Sequence, residues 1–393
     1  MSSKSIRIVF IGMLWATLLL GVNVFSTMHW RYLTYLNMLL AVTLGILFLN
    51  NAKLGHKKLA IWNVVFIVML LYFLPSTEGK YQSVMVLSGG LIYALIYNIR
   101  GKNFDNNLAE SRKWIIIIFL IECGLSIAER ILRYNFLSWN EEDAAMMSNF
   151  EDEAGFRSFG LWGHPLQNAL ITSTIMGFIL MYDGYKPKTK YTLWAIGYAA
   201  ILCFNTRSSM VGNILFLALY QVIQASKARS FSTKAKTIVF GLFGVAFLEF
   251  LITQTSLGGR LMEMGLYDES SAAVRMNTWS IFDYYNLSDF LYPGEVDRDI
   301  VLMSTGLYAT ENFWIDWLLK YGLIIEVVYI ALIAYNIYNY GKGYKKEDVI
   351  FVNLVFWLIA STNNSLTANP IPLFIFLSAL IIFHPTNQRI EKI

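Results

Sequence analysis

The basic residues of this 393-residue chain are sorted by type. Five loops (50–58, 100–113, 183–190, 226–237 and 339–348) and the two ends carry 21 of the 31, and 16 of those are Lys. Nine others fall in the alternate loops or at the helix ends beside them. Eight of the nine are Arg: Arg31, Arg130, Arg133, Arg157, Arg207, Arg260, Arg275 and Arg298; the ninth is Lys80. An ammonium is a hydrated point charge. A guanidinium is a planar fork that stays charged and grips phosphate or carboxylate at two points. The arginines therefore point to an anionic ligand on one side of the protein. The competing explanation, snorkelling at helix ends, would accept Lys equally well.

Four local constellations could do chemistry. Arg157 to Leu170 reads RSFGLWGHPLQNAL. Gly160 and Gly163 permit close backbone approach, and Pro165 suits the first turn of a helix. His164 then sits at the mouth of that helix, beside Trp162 and near Arg157. A histidine there serves as general base or binds a substrate hydroxyl; its structural alternative is a capping or interfacial residue. In FNTRSSM, Phe204 to Met210, Arg207 lies between two apolar segments with almost no loop. A charge at membrane depth is costly and usually faces a cavity or partner, with interfacial anchoring as the alternative. In residues 254–312, Arg260 follows two glycines, and Arg275 shares a helix face with Trp279. Tyr284 and Tyr285, with Tyr267, Phe290 and Tyr292, offer flat faces to sugar rings or form an interfacial belt. The pair Asp297 and Asp299 is discounted as a metal site, because hard cations want several oxygens. Lastly, ENFWIDWLLKYG, Glu311 to Gly322, offers Glu311 as a carboxylate base, while Asp316 and Lys320 neutralise each other.

The elements that must position these groups are apolar helices. The chain is 56% apolar and 15% charged, against about 25% charged in soluble proteins, and its mean hydropathy is +0.48. Twelve apolar segments approach the length that crosses a bilayer: 6–25, 31–49, 59–74, 83–99, 114–132, 160–182, 191–206, 209–225, 238–253, 313–338, 349–366 and 370–384. Ile6 to Phe25 reads as the first span and not as a cleavable signal. The Lys-rich loops are cytoplasmic by the positive-inside rule, which puts both termini inside and the Arg-bearing ends outside. The expected fold is all-α: a polytopic membrane helical bundle of about 12 transmembrane helices. It forms one integral membrane domain, 1–393, with a long outer loop, 254–312, between spans 9 and 10. Within that loop Ser271 to Tyr285 forms an amphipathic helix, with Val274, Thr278, Ile281, Phe282 and Tyr285 on the face laid against the membrane. Cys123 and Cys203 fall inside spans as small apolar packers.

Several function classes drop out. There is no phosphate-binding glycine loop, and the longest cytoplasmic loop, 100–113, is too short for a nucleotide-binding domain. No basic patch interleaved with stacking aromatics suggests nucleic acid, and no cofactor is expected. An enzyme of this layout needs a substrate that arrives already activated, and a lipid-carried one meets that requirement. A transporter or flippase would instead use charges deep in the bundle, for which Glu122, Lys320 and Glu326 are the candidates.

The four constellations, in this order, resemble the O-antigen ligase and polymerase superfamily of bacterial membrane glycosyltransferases. That family shows an Arg-x-x-Gly segment running into a His-Pro helix start, then a Thr-x-Arg or Ser-Arg pair at the outer end of a span. A long outer loop follows, with Arg and a Trp four residues on, closing with a His-Asn-aromatic segment before a Gly. The matching residues here are Arg157, Gly160 and His164-Pro165; Thr206-Arg207-Ser208; Arg275 and Trp279; and Glu311-Asn312-Phe313 with Gly322. The closing position, often His in the family, is Glu311 here, which leaves Glu311 and His164 as the two candidates for the base.

The resemblance implies a metal-independent glycosyltransferase in the inner membrane of a bacterium, acting on a glycan carried by undecaprenyl pyrophosphate. Arg157, Arg207, Arg260 and Arg275 would bind the pyrophosphate; Trp279, Tyr284 and Tyr285 would bind sugar. A polymerase of repeat units for O-antigen, capsule or exopolysaccharide is the leading expectation, and a ligase of finished chains is the nearest alternative. Partners would be the bilayer, and the flippase and chain-length regulator of the same pathway.

Overall fold

A computed structural model describes residues 104–136, 156–227, 278–291, 298–305, 312–368 and 371–385, together with Ser230, Thr310 and scattered positions from 232 to 253. The apolar segments 6–25, 31–49, 59–74 and 83–99 lie outside the described residues. Among those described, every regular element is helical: α1 Phe104–Leu132, α2 Pro165–Met181, α3 Pro187–Phe204, α4 Arg207–Lys227, a 3₁₀ helix Thr278–Tyr284, α5 Leu287–Leu291, α6 Arg298–Ser304, α7 Phe313–Gly341, α8 Lys346–Ala360, α9 Ser365–Ala368 and α10 Ile371–Ile382. Two of them, α4 and α7, are long and apolar enough to cross a bilayer. The chain divides into two compact units. One holds Met1–Ile116, Val274–Gly343 and Asn363–Ile393; the other holds Ile117–Ala273 and Tyr344–Thr362.

The second unit is built around α2. It is apolar on all sides, and every residue from Pro165 to Met181 except Leu166 is buried, as expected of a helix enclosed by others. Helices α3, α4 and α8 pack on it. Small polar contacts fix the packing: Asn213 Nδ2 donates to Ser173 Oγ at 2.7 Å between α4 and α2, and Thr362 Oγ1 donates to Ser208 Oγ at 2.9 Å beside the start of α4. Between α3 and α4 the turn is only Asn205–Thr206. Asn205 adopts the left-handed conformation at φ 54°, which Asn tolerates better than most residues. Both cysteines are buried in this unit.

Lys and Arg mark opposite ends of this unit. Where α2 ends and α8 begins, Lys345 Nζ meets Asp183 at 2.9 Å, Lys227 Nζ meets Asp348 at 3.2 Å, and Lys190 Nζ donates to the Leu180 carbonyl at 2.6 Å. Arg157, His164 and Arg207 lie at the other end, where α2 and α4 begin. The Lys345–Asp183 pair is exposed, so Lys345→Ala should lower stability by less than ~1 kcal/mol in detergent melts. The hydrogen bond to Asp183 raises the Lys345 ammonium above its ordinary pKa. Its small contribution is therefore complete at neutral pH and fades only as pH climbs through and beyond the usual lysine range.

In the first unit α10 is buried along its whole length, and Arg112 Nη1 donates to its Ile382 carbonyl at 2.8 Å. Helix α7 departs from expectation. It is broken at Gly322, whose φ 72° and ψ 158° belong to a region open essentially to glycine alone. Lys320 therefore sits on the short piece Phe313–Tyr321 and not within one continuous span. Beyond the break, Leu323, Ile324, Val327, Val328, Tyr335 and Tyr338 form an exposed apolar stripe, and Ile350, Leu354 and Leu358 form another on α8.

The surface helix expected over 271–285 is also corrected where it is described. Residues 278–284 form a 3₁₀ helix, and the face assigned to the membrane turns inward instead. Thr278 and Ile281 are fully buried, and Ile281 packs with Val301, Leu302, Tyr285 and Leu319. The helical wheel marked an apolar face correctly. Protein covers that face, because α6 and the start of α7 return over it.

Candidate functional site

The segment between α1 and α2 is assembled almost wholly through backbone groups. Phe156 offers its carbonyl to Arg130 Nη1 at 2.5 Å and to Asn205 Nδ2 at 3.3 Å. Ser158 N donates to the Cys203 carbonyl at 3.0 Å, and Arg157 Nε donates to the Phe204 carbonyl at 3.3 Å. These bonds set residues 156–158 against the end of α3, which places Arg157 next to the Asn205–Thr206 turn. Arg130, one of the eight sorted arginines, is thus engaged in structure.

Gly160 and Gly163 have φ of 56° and 67°, a left-handed turn that reverses the chain into α2. A Cβ on Gly160 would run into the Glu122 carboxylate and the Asn168 amide, so the glycine there is required sterically. His164 is the N-cap residue of α2 with extended backbone, yet its side chain makes no capping hydrogen bond. The imidazole is largely buried and lies within the field of Arg157. Arg207 opens α4 and is half-buried.

Among the described residues, three hydrogen-bond donors around this end are buried without a partner: Trp162 Nε1, Gln167 Nε2 in the first turn of α2, and Thr206 Oγ1 just before α4. A buried donor left unpaired costs about 1–3 kcal/mol. The starts of α2 and α4 add the partial positive charge of their helix ends. Two arginines, an imidazole, two helix starts and three orphaned donors therefore gather at one end of the second unit. That set suits a ligand rich in acceptor oxygens.

Arg260, Arg275 and Glu311 are outside the described residues. Trp279, Tyr284 and Tyr285 belong to the first unit. Trp279 and Tyr284 are exposed, at 61% and 49%, and remain available to a ligand. Tyr285 packs on the cluster around Ile281. The rings form a ladder, Trp279 to Phe282 at 5.6 Å, Phe282 to Phe290 at 5.2 Å and Phe290 to Tyr285 at 5.5 Å. Asp316 and Lys320 pair as expected, at 3.4 Å, and Thr310 Oγ1 also donates to Asp316 at 2.7 Å.

Sequence reasoning missed the joint role of Glu122 and Glu129. It noted Glu122 only as a transporter charge. The available signal was two carboxylates seven residues apart within one apolar segment, which share a helix face. No protein-family model, curated protein or solved structure matches the chain.

Proposed function

We propose that the chain is a polymerase that joins lipid-pyrophosphate-linked oligosaccharide repeat units into a surface polysaccharide on the outer face of a bacterial inner membrane. In this reading it crosses the bilayer about twelve times with both termini in the cytoplasm. The observation that carries it is the cationic, donor-rich end of the second unit, opposite the lysine end. An acceptor sugar hydroxyl attacks the anomeric carbon of the donor. The new C–O bond forms as the bond to phosphate breaks, and the electron pair leaves with the pyrophosphate. The hydroxyl proton passes to His164 or Glu311. Arg157 and Arg207 meet the charge developing on the leaving group, where each preorganised donor is worth about 3 kcal/mol. Arg260 and Arg275 complete the set in this proposal, and Trp279 and Tyr284 carry sugar. Two of the three charges a flippase would use have partners already: the Leu161 N–H for Glu122 and Asp316 for Lys320.

Deletion of the gene followed by gel analysis of surface and lipid-linked glycans tests this. Loss of the ladder, with single repeats held on lipid at the outer leaflet, is expected. Long chains stranded on lipid would instead mean a ligase, and substrate trapped on the inner leaflet would mean a flippase.

A further inference from the structure

Glu122 and Glu129 lie two helical turns apart on α1, and neither is exposed at all. A buried carboxylate needs hydrogen bonds to offset its lost hydration. Three of the four backbone N–H groups that meet these two belong to the segment that carries Arg157 and His164. Glu129 Oε2 accepts from the N–H groups of Phe159 at 2.8 Å and Gly160 at 2.9 Å, while its Oε1 accepts from Phe136 N at 3.1 Å. Glu122 Oε2 accepts from Leu161 N at 2.6 Å, and its Oε1 lies 3.4 Å from Ser126 Oγ, whose proton goes to the Glu122 carbonyl at 2.8 Å. Three consecutive amides are thus held by two carboxylates from one helix face. This clamp sits between Arg157 and His164 in sequence, so it sets where each leaves the turn.

Resting on the reading of Arg157 and His164 as substrate-facing groups, we infer that Glu122 and Glu129 are positioning residues that fix the distance between guanidinium and imidazole. The two are not equivalent, and the difference gives the test. Both oxygens of Glu129 accept from backbone N–H groups. In Glu129→Gln the new NH₂ must face either Phe136 N–H or the Phe159–Gly160 pair, donor against donor. In Glu122→Gln the amide oxygen can keep Leu161 N–H while the NH₂ turns to the Ser126 hydroxyl, which still has lone pairs to accept it. Two isosteric changes at two equally buried sites therefore diverge, which a general packing role would not produce.

The experiment uses the full-length protein, in a deletion strain for activity and in detergent for amide exchange. Glu129→Gln should speed exchange at Phe159 and Gly160 and cut ladder formation by about tenfold or more, as an unsatisfied buried pair implies. Glu122→Gln should stay within about threefold of wild type on both readouts, and Glu122→Ala should fall with Glu129→Gln. Equal behaviour of the two Gln variants overturns the inference. If Glu129→Gln does not accumulate, exchange in the wild-type protein decides. Protection of the Phe136, Phe159, Gly160 and Leu161 amides at the level of the α2 interior supports the clamp, and exchange typical of an open loop removes it. Arg157→Lys separates the two levels: a normal ladder from that variant dismisses the site itself, whatever the clamp does.

Discussion

Arg207→Lys, and separately Arg157→Lys, should abolish long chains while the protein accumulates and inserts as before. Charge is retained in both, so simple attraction to the membrane or ligand is not what is removed. What goes is the planar fork that meets two oxygens at once and the fixed direction of its donors. Removal of one preorganised donor from a developing oxyanion commonly costs ~10²–10³ in rate, enough to empty a ladder of its upper rungs. Folding should tolerate the change at Arg207, because the residue is half-buried at the first position of α4 and the core contacts of that helix lie further along, at Met210, Phe216 and Leu217. Arg157 is held by the Phe204 carbonyl through Nε, and a lysine reaches that carbonyl only by giving up other directions. The readout is the length distribution of surface glycan in a complemented deletion strain, with membrane content checked by blot. A wild-type ladder from either Lys variant would sink the bidentate-phosphate reading.

The parts of this arrangement that periodicity and charge encode were legible beforehand. Apolar runs located α1 to α4, α8 and α10, because a helix enclosed by neighbours or lipid must be apolar over its length. The split of Lys from Arg located the two ends of the second unit, because that sorting follows from position along each helix. His164-Pro165 marked the start of α2, since proline lacks the donor that the first turn does not need. What stayed hidden depended on partners remote in sequence. Glu122 was visible as a charge in an apolar run, but its hydrogen bonds go to an amide 39 residues on, and no local pattern specifies that distance. The face of 278–285 was read correctly as apolar and misassigned to the membrane, because amphipathicity shows that a face is covered without showing what covers it. The break in α7 was hidden for a related reason. Gly322 stands in an otherwise helical pattern, and a single glycine there is as compatible with a straight helix as with a bend.

That glycine supports the second large effect. Gly322→Ala must either hold an alanine in a backbone region that side chains avoid, at about 1–3 kcal/mol, or straighten α7 into one continuous helix. Straightening would draw the piece Phe313–Tyr321 out of its present packing. Phe313, Ile315, Trp317 and Tyr321 are all buried there, and Trp317 and Tyr321 contact Tyr329 across the break, with ring centroids 5.0 and 6.2 Å apart. Each large side chain returned to an exposed setting costs about 1.5–3 kcal/mol, so four together outweigh the local strain. The break should therefore survive in Gly322→Ala, with stability lowered by about 1–3 kcal/mol and a lower melting temperature in detergent. Spin labels at Leu318 and Tyr338 report the geometry directly. A continuous helix would separate those positions by roughly 30 Å along its axis, and the variant should keep the wild-type distance distribution, short of that value. A shift toward the straight-helix distance would show that packing of the short piece is weaker than the backbone strain. Asn312 caps this piece by accepting from Trp314 N at 2.9 Å, and Glu311 adjoins Asn312 in the chain. A bend that survives leaves the fold of this short piece intact, so the ladder should persist in Gly322→Ala even as the protein melts earlier.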